Sequence, residues 1–238
     1  MRAKRAILRS ACLACTLALM QVLGLLLLAS GGLAAEYQPF YSAKPIRGAV
    51  VDAETGAPLE GVIIVAQWIL YEASPGGQNP RRRLQVLETV TGKDGSYTFP
   101  GWGPKPNPPV LNPMALYFCC FLTNRDPKLN FFKPGYRPLM RLNQHERDTT
   151  VRESEWDGKT IRLEPFRGSV DEWMKALGFL QSYLSWGDQL DWRWCPRMVL
   201  AVEEERVRLP HKSYLWVSGL EVLGTSREAI LRKLGKQR

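Results

Sequence analysis

The side chains from which this 238-residue chain could build a reactive or metal-holding centre are five cysteines, two histidines and 23 carboxylates. His145 and His211 are too few for a histidine-rich metal site, and neither stands in a context that pairs it with a nucleophile and an orienting group. There is no Gly-X-Ser-X-Gly elbow, phosphate loop or His-Glu-X-X-His. Asp52, Glu54 and Asp94 are candidate calcium ligands, but a hard cation asks for several oxygens at a defined loop spacing. Short carboxylates beside Gly56 and Gly95 instead suit the bonding of turn amides. Cys119 and Cys120 are neighbours on an extended run, so they point to opposite faces and only one of them can meet Cys195. Such a disulfide would staple the C-terminal part of the chain to a sheet and stabilise it by about 2–4 kcal/mol. The competing reading is three buried thiols packed as small hydrophobes. Trp102, between Gly101 and Gly103, is expected in an exposed loop, where its ring either stacks on a sugar or folds back over the core. The triplet Arg81-Arg82-Arg83 reads as a solvated loop. No catalytic residue, cofactor or metal is expected from this set, and the chain does not read as an enzyme.

Charge and the N-terminus bear on where the chain works. Arg2, Lys4, Arg5 and Arg9 precede Ser10 to Ala35, which carries no charge and ends in Gly-Gly-Leu-Ala-Ala before Glu36. This is the form of a signal peptide, residues 1–35, so an extracytoplasmic location is expected, periplasmic or secreted. Ala11 to Ala29 is also long enough to span a bilayer, which leaves an uncleaved membrane anchor as the alternative. Cys12 and Cys15 sit at the start of the apolar run, not its end, which argues against lipidation. Beyond the leader 28 bases face 23 acids, spread along the chain, and that balance calls for no nucleic-acid partner.

After a linker at 36–43, residues 44–165 change to short β-rich runs separated by turn residues, the spacing of a β-sandwich with about seven strands. The runs are Ile46 to Asp52, Val62 to Leu70, Leu84 to Thr91, Ser96 to Phe99, Ala115 to Thr123, Phe131 to Leu142 and Thr160 to Leu163. Val62 to Leu70 is apolar enough to be buried on both faces. Gly92-Lys93-Asp94-Gly95 is the strongest hairpin signal. A polar loop is expected from Ser74 to Pro80 and a Pro-rich one from Gly103 to Pro113.

Four segments carry a family resemblance: Gly48-Ala49-Val50-Val51-Asp52; Thr55-Gly56-Ala57-Pro58-Leu59-Glu60-Gly61-Val62; Thr91-Gly92-Lys93-Asp94-Gly95-Ser96-Tyr97-Thr98-Phe99; and Lys133-Pro134-Gly135-Tyr136. In this order they resemble the carboxypeptidase regulatory-like domain. The resemblance implies a transthyretin-like, Ig-like sandwich without peptidase activity, in which Asp52, Gly56, Asp94, Gly95 and Gly135 form turns. The loops at Tyr71 to Arg83 and Gly103 to Pro113 are longer than the family pattern.

Residues 166–238 read as a helical extension. Ser169-Val170-Asp171-Glu172 is a capping box, followed by the stripe Trp173, Leu177, Leu180, Leu184 and a stop at Gly187. Pro196 suits the first position of a second helix running toward Leu209, with Glu203 to Arg208 solvated. Thr225-Ser226-Arg227-Glu228 opens a third, ending at Gly235. Helices this short need a partner surface, and the sandwich is the nearest. The expectation is a mainly β protein with a helical extension, exported, non-enzymatic and made for protein contact in the cell envelope. Carbohydrate binding through Trp102 and a membrane-anchored assembly role are the alternatives.

Overall fold

Ile46 to Asp52 buries Ile46, Val50 and Asp52 and leaves the residues between them more open, as a strand covered on one face must. It is the second of thirteen strands among the described residues of the computed structural model, which are 38–74, 77–107, 110–111, 118–144, 149–185, 191–209 and 220–235. The strands are β1 (Phe40–Ala43), β2 (Ile46–Asp52), β3 (Ile63–Ser74), β4 (Gly77–Val90), β5 (Ser96–Phe99), β6 (Trp102–Pro106) and β7 (Val110–Leu111). They continue as β8 (Phe118–Cys119), β9 (Phe121–Leu122), β10 (Lys128–Phe132), β11 (Leu139–Arg141), β12 (Val151–Arg152) and β13 (Lys159–Leu163). The protein is mainly β, a sandwich with a C-terminal helical extension.

The main sheet runs β11-β10-β3-β4, with β9 also on β3, and it faces a sheet ordered β13-β2-β5. Between them lies one apolar core: Val50, Tyr97, Phe99, Ile161 and Leu163 meet Ile64, Ala66, Trp68, Leu70, Leu129 and Phe131. A third sheet, β12-β1-β6, adds Tyr41 and Ala43 to the same core. β1 occupies part of the stretch expected to be linker, 36–43. Trp102 to Pro106, expected as a loop, is a strand at the edge of that sheet, where a proline's missing N–H disturbs no ladder.

Two further expectations are corrected. The polar loop from Ser74 to Pro80 is the tip of one long hairpin, with β3 and β4 paired out to Ser74 and Gly77. Arg81 binds Glu72 across it at 2.8 Å, and Arg83 is buried, so the triplet is strand and not solvated loop. The run Phe131 to Leu142 is two antiparallel strands, β10 and β11, folded back at Lys133-Pro134-Gly135-Tyr136.

The turn residues of the four segments are bonded to one another. Asp52 Oδ1 accepts the amides of Glu54 and Thr55 at 2.8 and 2.9 Å, and Oδ2 accepts the Tyr136 hydroxyl at 2.9 Å. The Thr55 amide first, then Tyr136, holds the Asp52 carboxyl below the ordinary carboxylate range. Asp94 Oδ1 takes the Ser96 amide and hydroxyl at 3.0 and 2.7 Å. Gly56 and Gly95 both have φ of +74°.

The helices are α1 (Val170–Leu184), α2 (Pro196–Arg208), a 3-10 turn at Leu220–Leu223, and α3 (Arg227–Gly235). α1 starts in the expected capping box: Ser169 Oγ accepts the Glu172 amide at 3.3 Å and Glu172 accepts the Ser169 amide at 2.7 Å. Ser226 caps α3, one residue after Thr225, accepting the Ala229 amide at 3.3 Å. The helices cover the outer face of the main sheet, where Trp173, Leu177 and Leu180 join Met198, Val199, Val202, Ile230 and the sheet's Ile63, Val65 and Phe132 in a second core. Glu205, expected in a solvated stretch, is buried and accepts the Trp173 indole N–H at 3.1 Å.

A Cβ at position 95 would lie 2.5 Å from the Val50 carbonyl oxygen and 3.2 Å from the Leu59 amide, whereas one at position 56 meets nothing within 4 Å. Gly56→Ala is therefore expected to lose about 1–2 kcal/mol from the left-handed backbone alone. Gly95→Ala adds overpacking against the backbone, for a total of about 3 kcal/mol or more. Chemical denaturation of the two variants measures this, and equal losses would contradict the close approach.

Candidate functional site

Along β10 the side chains alternate: Leu129 and Phe131 enter the inner core, while Phe132 joins the outer one beneath the helices. Asn130 shares the outer face with Phe132. α1 crosses that face with Trp173 near-parallel to Phe132, ring centroids 6.3 Å apart. One row of α1 is buried there. The adjacent row, Glu172, Ala176, Phe179 and Tyr183, at steps of three and four, overhangs the sheet edge. Between this row and Arg137, Leu139 and Met140 runs a groove of about 310 Å³. Asn130 lines it and is fully buried, and neither its amide nitrogen nor its carbonyl oxygen has a hydrogen-bond partner among the described residues. At the mouth Phe179 is 62% exposed. A buried amide left unpaired costs about 1–3 kcal/mol per group, so an asparagine flanked by Leu129 and Phe131 is unfavourable for the fold by itself.

Beyond the groove the same face carries polar groups that fasten α1. Gln67 Nε2 and Arg83 Nη2 both donate to the Leu184 carbonyl at the last turn, at 3.2 and 2.5 Å. Lys128 Nζ donates to the Tyr71 hydroxyl at 2.5 Å. Asp126 is sealed nearby and accepts the amides of Ile69 and Thr123 at 3.2 and 3.0 Å and the Thr123 hydroxyl at 3.1 Å. Burial outweighs these bonds and the pull of Lys128, lifting the Asp126 carboxyl to about 6. Burial also lowers Lys128 to about 8 and raises the Tyr71 phenol. These groups are buried and bonded to other protein groups, and they read as scaffold.

The sequence candidates fall elsewhere. Asp52 ends β2 and Gly56, Asp94, Gly95 and Gly135 sit in turns, all of them outside the groove lining. Among the described residues no three His, Cys, Asp or Glu side chains gather to hold a metal ion. Trp102 opens β6, with its ring edge-on to the buried Trp68 at 5.2 Å and 83°, so the exposed-loop placement does not hold. Cys120 is disulfide-bonded but Cys195 is a free, buried thiol, so no bond staples the tail through it. The reason is the main sheet itself: Cys120 belongs to the inner core and Cys195 to the outer one, on opposite sides of it. Burial pushes the Cys195 thiol up, away from reactivity. The Cys119 side chain, His145, His211, Gly187 and the leader with Ala11 to Ala29 lie outside the described residues, among which no helix is long and apolar enough to cross a membrane. Asn130 and Phe179 were missed, although each leaves a trace: a carboxamide inside Leu129-Asn130-Phe131-Phe132, and an aromatic off the stripe of α1.

No family model matches the sequence, and no curated protein does. Among solved structures, a 3-chlorocatechol 1,2-dioxygenase from Rhodococcus opacus 1CP is 17% identical, with 56% of this chain and 63% of that one covered, at a TM-score of 0.30. A streptococcal ancillary pilin is 16% identical over 55% of this chain and 30% of its own, at 0.22. The major pilin SpaD from Corynebacterium diphtheriae is 14% identical over 55% and 32%, at 0.24. The chain spans less than two thirds of the length of each.

Burial pushes the Asp126 carboxyl up to about 6 in the folded chain, above the ordinary aspartate range near 3.8, so the folded chain holds a proton that the unfolded chain releases between those values. Stability is expected to fall as the pH is raised from about 4 to about 6, and Asp126→Asn should flatten that slope. Denaturation midpoints across this range test it, and an unchanged slope in the variant would contradict the assignment.

Proposed function

We propose that the chain is exported and acts outside the cytoplasm as a non-enzymatic contact module of transthyretin-like build, taking an extended segment of a protein partner in the groove between α1 and β11. The observation that carries this reading is the groove itself: an open, largely apolar cleft with Phe179 at its mouth, beside a strand that ends its sheet among the described residues. An exposed aromatic beside an apolar cleft marks an interaction surface, and a free sheet edge accepts added backbone. Export is supported by the uncharged leader with its basic start and small-residue end, and by the disulfide at Cys120, which suits an oxidising compartment. The carboxypeptidase regulatory-like resemblance of residues 44–165 agrees with a role without bond-breaking. A partner in the cell envelope follows from export. Protein contact is preferred to glycan stacking because the ring of Trp102 is engaged with Trp68. Whether the leader remains as an anchor separates a soluble module from an anchored assembly factor.

A photo-crosslinking residue at position 179, with the exposed position 40 on β1 as a control, tests the groove in the native envelope. The expected result is an adduct from 179 and not from 40, mapping by mass spectrometry to a single extended segment of the partner. Adducts from both positions, or from neither, would contradict the reading. Mass spectrometry of the same material should find the chain in the extracytoplasmic fraction, beginning near Glu36 or retaining the leader as an anchor, and recovery from the cytosol would overturn export.

A further inference from the structure

The carboxamide of Asn130 presents a donor and an acceptor side by side at the floor of the groove, each sealed from solvent and neither paired among the described residues. The lining holds the apolar Leu139, Met140 and Leu180 together with three charged residues, Arg137, Glu172 and the exposed Lys175. Arg137 lies over the Phe166 ring, 5.8 Å from its centroid, and Glu172 closes the α1 capping box. A carboxylate can draw on Lys175 or Arg137, but at Asn130 it accepts only from the amide N–H and leaves the C=O without a donor, and an ammonium does the reverse. A purely apolar group would leave both amide atoms unpaired. The chemistry that satisfies both is a second amide, which returns an acceptor to the N–H and a donor to the C=O in one planar pair. Among peptide side chains asparagine and glutamine carry an amide end, and glutamine, one methylene longer, reaches further into the groove.

We propose that Asn130 is a recognition residue for a glutamine side chain of an extended peptide whose apolar flanks lie on Phe179 and Met140. This deepens the contact reading and rests on it. An asparagine retained for binding should also weaken the unliganded fold, because its amide is unpaired until the peptide arrives.

The test uses the full chain and a bead library of acetylated heptapeptides with random flanks and a central Gln, Met or Glu. Beads with central Gln should be retained about tenfold over Met and further over Glu. Asn130→Leu should remove the preference for Gln while raising the melting temperature of the free protein, and Phe179→Ala should weaken all retained peptides alike. Retention of peptides regardless of the central residue would overturn the role of Asn130 and leave the groove standing as a contact site. Retention of none would overturn both. A lowered melting temperature in Asn130→Leu would show that the amide is satisfied within the fold, and would likewise overturn the proposal.

Discussion

Strand β3 is buried on both of its faces: Ile64, Ala66, Trp68 and Leu70 point into the sandwich, and Ile63 and Val65 point the other way. A sheet that is apolar on both sides cannot leave either one to water, so it must be covered twice. The sheet of β13, β2 and β5 covers one side. The helices cover the other, and because they are too short to hold their shape alone, their formation and their docking are one event.

Docking has a direction, and polar bonds supply it. Gln67 and Arg83 hold the carbonyl end of α1 at Leu184, and Glu88 holds the amide end of α2, accepting the amides of Arg197 and Met198 at 3.1 and 2.8 Å. A carboxylate at a helix N-terminus is favoured by the helix dipole and by the unpaired amides there. Burial raises the Glu88 carboxyl despite those bonds, which shows how far it has been removed from solvent. With α1 fixed at this end and packed on Phe132 at the other, the row carrying Phe179 is left standing over β11. The groove is thus a by-product of how the outer face is covered, and its shape follows from the helix's position.

Much of this order is written locally. The Ser169 capping box, Pro196 at the start of α2, the hairpin at Gly92 to Gly95 and the apolar run of β3 are each settled by neighbours within a few residues, and the sequence shows them. What it hides is set by distant partners. Phe40 to Ala43 has no strong strand pattern and becomes a strand because β6 and β12 flank it. The hairpin runs on to Ser74 and Gly77 with Arg81 bound to Glu72 across it, which spacing alone does not reveal. Cys195 looked free to reach Cys120 until the intervening sheet separated them. Asn130 is the sharpest case, since a lone carboxamide in an apolar strand reads as a weak strand residue until its lack of partners is seen.

The account depends on the helices being part of the same cooperative unit as the main sheet. Hydrogen exchange on the intact chain and on Glu88→Ala measures this most directly. Removing the carboxylate strands two half-buried amides and should lower stability by about 2 kcal/mol, with α1, α2 and β3 losing protection together. If α2 alone opens while α1 and β3 keep their protection, the helical layer is an appendage, and the groove it frames has no fixed form on which a partner could rely.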